Sequence, residues 1–167
     1  MKSVENDDQE NEAQVVTIWV DADACPRPVK DMVFRASERL KLPVKLVANS
    51  QMHVPRTGLV ELVLVASGFD VADDHIAERV GRHDIVITAD IPLADAVVKN
   101  GSIAISPKGE LFTAESIGER LAVRNLLAEI RSSGEFVGGG RPYSDQDKKA
   151  FAAAFDRTVT KLLKNKR

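Results

Sequence analysis

Val15-Val16-Thr17-Ile18-Trp19-Val20-Asp21-Ala22-Asp23-Ala24-Cys25-Pro26 is the stretch on which the fold turns. Residues 15–20 are a compact run of β-forming, mainly apolar side chains, which predicts a strand buried inside a sheet. Pro26 and Pro28 then punctuate the chain, and proline is tolerated in a first helical turn. A helix from about Arg27 to Lys41 follows, with Val29, Val33, Ala36 and Leu40 as its inward stripe. Strand followed directly by helix is the opening of an α/β unit.

Reading onward, the alternation repeats. Val44–Ala48 and Leu59–Ala66 predict two more strands, and a short helix runs from about Asp74 to Val80 with Asp73 placed to cap it. Asp84–Thr88 is a fourth strand, after which Pro92 opens a helix that Asn100-Gly101 closes near Lys99. Ile103–Ser106 is a fifth strand, and Glu110–Thr113 offers a short sixth. Helices at about 116–131 and 144–164 complete the chain; Ser144 and Asp147 form a capping-box pattern, and Phe151, Phe155, Val159 and Leu162 give the last helix its core face. The expected fold is therefore α/β: a three-layer, Rossmann-like domain with a mainly parallel sheet of about five strands flanked by helices.

The expected organisation is an acidic, disordered tail at 1–14 and one domain at 15–167. Lys2 stands against Glu5, Asp7, Asp8, Glu10 and Glu12, so the tail carries −4 while the whole chain carries −2 and the remainder is near neutral. The 44% hydrophobic and 29% charged shares fit a globular protein. No long apolar run and no signal-peptide pattern is seen, and one cysteine excludes an internal disulfide, so the cytoplasm is the expected location and no membrane the expected partner. The run Gly138-Gly139-Gly140 lacks the Lys-Ser/Thr of a phosphate loop and reads as a connection.

In such a sheet ligands bind outside the carboxyl ends of the strands. Asp21 and Asp23 stand there after the first strand, two residues apart and pointing the same way if the chain stays extended. Asp90 stands at the same edge after the fourth strand, and Asp95 in the following helix can lean back toward it. Each also has a plainer use, Asp23 as a turn or cap residue and Asp95 as a helix-dipole partner. Asp73 and Asp74 divide between a helix cap and an edge carboxylate, Asp74 being the ligand candidate. Crowded carboxylates repel and need a cation or a proton. All-oxygen ligands suit Mg²⁺ or Mn²⁺, and His53, His75 and His83 are too scattered for a zinc site. The metal set is then Asp21, Asp90, Asp95 and Asp74, and the catalytic set Asp21, Asp23, Asp90 and Asp95. Asn49, Ser50, Thr88, Arg27 and Arg124 are candidate substrate contacts, with Lys30, Arg56 and Lys108 further cations for phosphate. Cys25 has no evident base partner and reads as a packed thiol.

Asp-Ala-Asp-Ala-Cys-Pro at 21–26, Gly-Phe-Asp-Val-Ala-Asp-Asp at 68–74 and Thr-Ala-Asp-Ile-Pro-Leu-Ala at 88–94 resemble the bacterial YaiI/YqxD family, and the likeness covers roughly 16–163. At superfamily level the pattern is similar to PIN-like nuclease domains, whose site pairs an aspartate after the first strand with a later Thr-x-Asp and further acids. Asp21, Thr88, Asp90 and Asp95 match those positions, with Asp73 or Asp74 the nearest counterpart of a mid-chain glutamate. The resemblance implies a metal-dependent nuclease, a hydrolase of phosphodiester bonds with RNA as its partner rather than DNA. Two alternatives share the residues: a phosphatase of the haloacid-dehalogenase type using Asp21 and Asp23, and a non-catalytic nucleic-acid or protein-binding module.

Overall fold

The computed structural model describes residues 15–135 and 141–165; the expected tail at 1–14 and the glycine run at 138–140 lie outside them. Six strands form one sheet: β1 (Ile18–Asp21), β2 (Val44–Ala48), β3 (Val60–Leu64), β4 (Ile85–Ile87), β5 (Ile103–Ile105) and β6 (Leu111–Phe112). Their order is β3-β2-β1-β4-β5-β6. All neighbours pair in parallel except β5 and β6, which are antiparallel because a tight turn at 106–110 joins them. The expected α/β class and parallel core stand, with a sixth strand added at the edge.

The β-branched runs explain the centre of the sheet. Ile18, Val20, Ile85 and Ile87 are fully buried on one face, under α1 (Arg27–Leu40) and α5 (Asp145–Lys164). Trp19, Val47 and Val86 are buried on the other, under α2 (Val71–Arg79) and α3 (Ile91–Lys99), and α4 (Ala114–Ser132) packs outside α3. That is a three-layer sandwich, and each buried Ile or Val adds roughly 1.5–3 kcal/mol. Phe151 and Phe155 of α5 stack at 5.3 Å over the first face. The Ser144 capping box forms as the spacing predicts, and Arg141 clamps Asp147 through two bonds of 2.7 and 2.8 Å. Thr113, expected in the sixth strand, instead caps α4 with Ser116.

Two details fix the strand next to the site. Asp84 is buried and its carboxylate accepts from Thr17 N (3.0 Å), Trp19 Nε1 (3.1 Å) and Gly81 N (2.8 Å), pinning β1 to the start of β4. Trp19 also carries Lys45 Nζ over its ring at 5.1 Å and meets the His75 ring of α2 at 6.3 Å. Among the described residues no helix is long and apolar enough to cross a membrane.

Candidate functional site

The strand order reverses direction between β1 and β4, and at such a switch point the loops diverge to give α/β sheets their ligand crevice at the carboxyl edge. β1 alternates, and Asp21 therefore follows Trp19 onto the face of α2 and α3. The pairing of Val20 with Ile87 brings Thr88 alongside Asp21. The Thr88 hydroxyl donates to Asp21 Oδ2 at 3.0 Å and accepts the Asp90 N–H at 3.0 Å, so one side chain sets the spacing of two acids. Asp90 caps α3, its Oδ1 accepting the Leu93 N–H at 2.8 Å.

The third acid is Asp73, close enough to Asp90 for a proton to be shared between the two carboxyls. Burial pushes Asp73 up to about 7, reinforced by the charges of Asp90 and Asp21 and by the shared hydrogen bond. Burial likewise raises Asp21; the Thr88 hydrogen bond opposes the rise, while Asp90 and Asp23 add to it. Near neutral pH a proton between Asp73 and Asp90 relieves the crowding, and a divalent cation would relieve it as well.

Asp73 corrects the reading of the sequence twice over. α2 begins at Val71, three residues earlier than expected, and its N-cap is Asp70 in the left-handed conformation at φ 62°, with no side-chain cap bond. Asp73 thereby shares the inward stripe with buried Ile76 and Val80, whereas Asp74 lies on the exposed side with Glu78. The periodicity of that stripe, taken from Val80 backward, is the signal that distinguishes the two acids.

The remaining candidates divide. β1 stops at Asp21, so the strand alternation does not reach Asp23; a turn carries it toward β2, where it accepts the Asn49 N–H at 2.8 Å and the Ser50 hydroxyl at 3.4 Å. Asn49 and Ser50 thus serve Asp23 directly. Asp95 lies in the second turn of α3 and pairs with Lys99 at 2.9 Å, the usual i, i+4 geometry, and it is not among the charges acting on Asp21 or Asp73. Arg27 and Lys30 line a groove beside His53, on the β2 side of the crevice. Arg124 is exposed on α4 and bonds only its neighbour Asn125 among the described residues. Among the described residues no three Asp, Glu, His or Cys side chains stand in ready metal-ligating geometry. The Asp21, Asp73 and Asp90 carboxyls nonetheless offer hard oxygen donors from three separate segments.

A family model described as "Uncharacterized BCR, YaiI/YqxD family" matches residues 19–161. The chain belongs to the YaiI/YqxD family. It is 56% identical to a UPF0178 protein of Citrifermentans bemidjiense over 150 residues, 90% of this chain and 97% of the relative. It is 53% identical to one from Geobacter sulfurreducens, covering 88% and 98%, and 48% identical to one from Myxococcus xanthus, covering 88% and 96%. No solved structure matches it significantly. Within this YaiI/YqxD chain the acids that meet at the crevice, Asp21, Asp73 and Asp90, all fall inside the matched span.

Proposed function

We propose that this YaiI/YqxD protein is a divalent-metal-dependent nuclease that hydrolyses phosphodiester bonds, in RNA rather than DNA. The observation that carries the proposal is the meeting of Asp21, Asp73 and Asp90 at the β1/β4 crevice, with Asp73 driven up to about 7 by burial and by the other two acids. Charge of one sign concentrated in this way requires compensation, and perturbed groups in a cleft mark functional sites more often than structural ones. Mg²⁺ or Mn²⁺ suits all-oxygen donors, and to hold the ion Asp21, Asp73 and Asp90 would have to draw closer than this arrangement places them. Bound there, the ion supplies a water of lowered pKa and offsets charge on the phosphate.

The protein's own groups do the positioning. Thr88 holds Asp21 and the Asp90 backbone in one arrangement, and the α3 cap fixes one oxygen of Asp90. Arg27, Lys30 and Lys108 offset the repulsion that a polyanion would meet at an acidic edge. Asp21, Thr88 and Asp90 support a PIN-like reading with Asp73 as the mid-chain acid, whereas Asp95, the further acid of that pattern, pairs with Lys99 instead. A haloacid-dehalogenase-type reaction would need Asp23 free beside Asp21 as its proton donor, and Asp23 is instead occupied by Asn49 and Ser50.

The test combines binding with turnover. Mn²⁺ or Mg²⁺ at a hundredfold excess over its dissociation constant should stabilise the wild type by about 2.7 kcal/mol in thermal unfolding. Asp90→Asn should abolish that gain while keeping the α3 cap, because asparagine caps as well as aspartate. Labelled single-stranded RNA should be cut in Mn²⁺ and not in chelator, and Asp21→Asn should slow cutting by more than ~100-fold, beyond the loss expected of an outer-shell partner. Metal-independent RNA binding without products would instead make the protein a binding module.

A further inference from the structure

Beside the three acids lies a second feature that the acids do not explain. A groove of about 340 Å³ opens at the same edge, lined by Ala24 and Pro26 of the β1–α1 loop, Ala89 and Ile91 around Asp90, and Lys108 and Tyr143 opposite. Its size falls in the ~300–1,000 Å³ range of small-ligand sites. The walls nearest the acids are small and apolar. The far wall presents the rings of Phe112 and Tyr143 and the charged side chains of Lys108, Arg120 and Glu110.

That far wall is rigid. The turn at 106–110 closes on itself, with Gly109 N donating to Ser106 O at 2.9 Å, and Glu110 N to Ser106 Oγ at 3.1 Å. Gly109 sits at φ +87°, and a Cβ there would lie 2.5 Å from the Ala150 carbonyl carbon, so the turn seats directly on the backbone of α5. The Tyr143 hydroxyl donates to Pro107 O at 2.9 Å, locking its ring to the same turn. Arg120 is neutralised by Glu110 at 2.9 Å, whereas exposed Lys108 has no ion-pair partner among the described residues.

We propose that this groove seats one nucleoside of a single-stranded nucleic acid, with Tyr143 packing the base and Lys108 holding an adjacent phosphate. The proposal rests on the nuclease reading for the neighbouring acids, and it names the form of the substrate. A ring fixed at its edge offers a stacking surface at little entropic cost, and an unpaired cation on a clamped turn complements a phosphate. A duplex keeps its bases inside the stack, so only a strand with free bases can fill a recess that lies between two loops.

Fluorescence anisotropy of a labelled single strand of about eight nucleotides, in RNA and DNA arms and in chelator, tests the groove. Lys108→Gln should weaken binding several-fold and lower the slope of log affinity against log salt by about 0.7. Tyr143→Leu should weaken it about tenfold, and Tyr143→Phe, which keeps the ring, by much less. A duplex of the same sequence should compete poorly, and so should a free mononucleotide. Wild-type affinity in both Lys108→Gln and Tyr143→Leu, or no single-strand binding by the wild type, overturns the proposal. Weakened binding by the variants together with no cleavage by the wild type in Mn²⁺ leaves the groove standing and removes the nuclease reading.

Discussion

Replacing Asp73 with asparagine should make the metal-free protein more stable, and only above mildly acidic pH. In the native state the Asp73 carboxyl titrates at about 7, against 3.8 for an ordinary aspartate. Below about pH 4 the folded and unfolded chains both hold the proton, and the group contributes no difference. Between about 4 and 7 the unfolded chain has released it and the folded chain has not, so folding binds a proton and wild-type stability falls as pH rises. Above about 7 the full penalty is present and constant. At 1.36 kcal/mol per pH unit the ceiling is roughly 4 kcal/mol. Asp73 is only partly buried, and solvent screening reduces this to ~1–2 kcal/mol. Asp73→Asn removes the charge while its amide can still donate to Asp90. Urea unfolding in chelator at pH 4, 5.5 and 8 should therefore give a variant-minus-wild-type difference that grows across the series by that amount. A difference that does not change with pH, or one that favours the wild type at pH 8, would refute the convergence of Asp73 with Asp90 and Asp21.

Other perturbations follow from features away from the cluster. Asp84→Ala should cost at least about 3 kcal/mol in urea unfolding, because it strands three donors at the base of β1 and β4, each worth ~1–3 kcal/mol when buried without a partner. Asp147, held down to about 2 by the Arg141 guanidinium and the Ser144 contacts, stabilises the fold above the ordinary carboxylate pKa and loses that contribution as pH falls through about 2. The stability gap between the wild type and Asp147→Ala in acid titrations followed by circular dichroism should accordingly shrink toward pH 2. Burial pushes the Cys25 thiol up to about 12, with Lys30 opposing and Asp21 adding to the rise. Its native thiolate population is then roughly a thousandfold below that of an ordinary thiol, and its reaction with a disulfide reagent at pH 8 should be slow until urea is added.

The sheet was legible because its strands are dense in Ile and Val and its helices carry their own punctuation. Pro28, Asn100-Gly101 and the Ser144–Asp147 box mark ends that local chemistry determines, and the elements form where these residues place them. The start of α2 was not legible, since Asp70 enters it in a left-handed conformation without a side-chain cap, and no local rule favours that over a cap at Asp73. The role of Asp84 was hidden for another reason. Its three partners come from Thr17, Trp19 and Gly81, and two of those contacts exist only after β1 and β4 pair. Asp95 was drawn away from the edge by Lys99, a neighbour whose pull is visible in the sequence once the helix is known to begin at Ile91. Asp21 closes β1 and Asp90 caps α3 just past β4, positions that the apolar strand runs and Pro92 mark in the sequence.

Trp19 is the single tryptophan of the chain, and its ring meets His75 on the helix that also carries Asp73. The protein therefore contains its own optical reporter. Indole emission excited selectively at the red edge will register any tilt of α2 against the sheet, with no label attached and no side chain of the crevice altered. Ions or oligonucleotides that reseat α2 will change the intensity in real time, and stopped-flow mixing can then separate the moment of capture from any later bond cleavage.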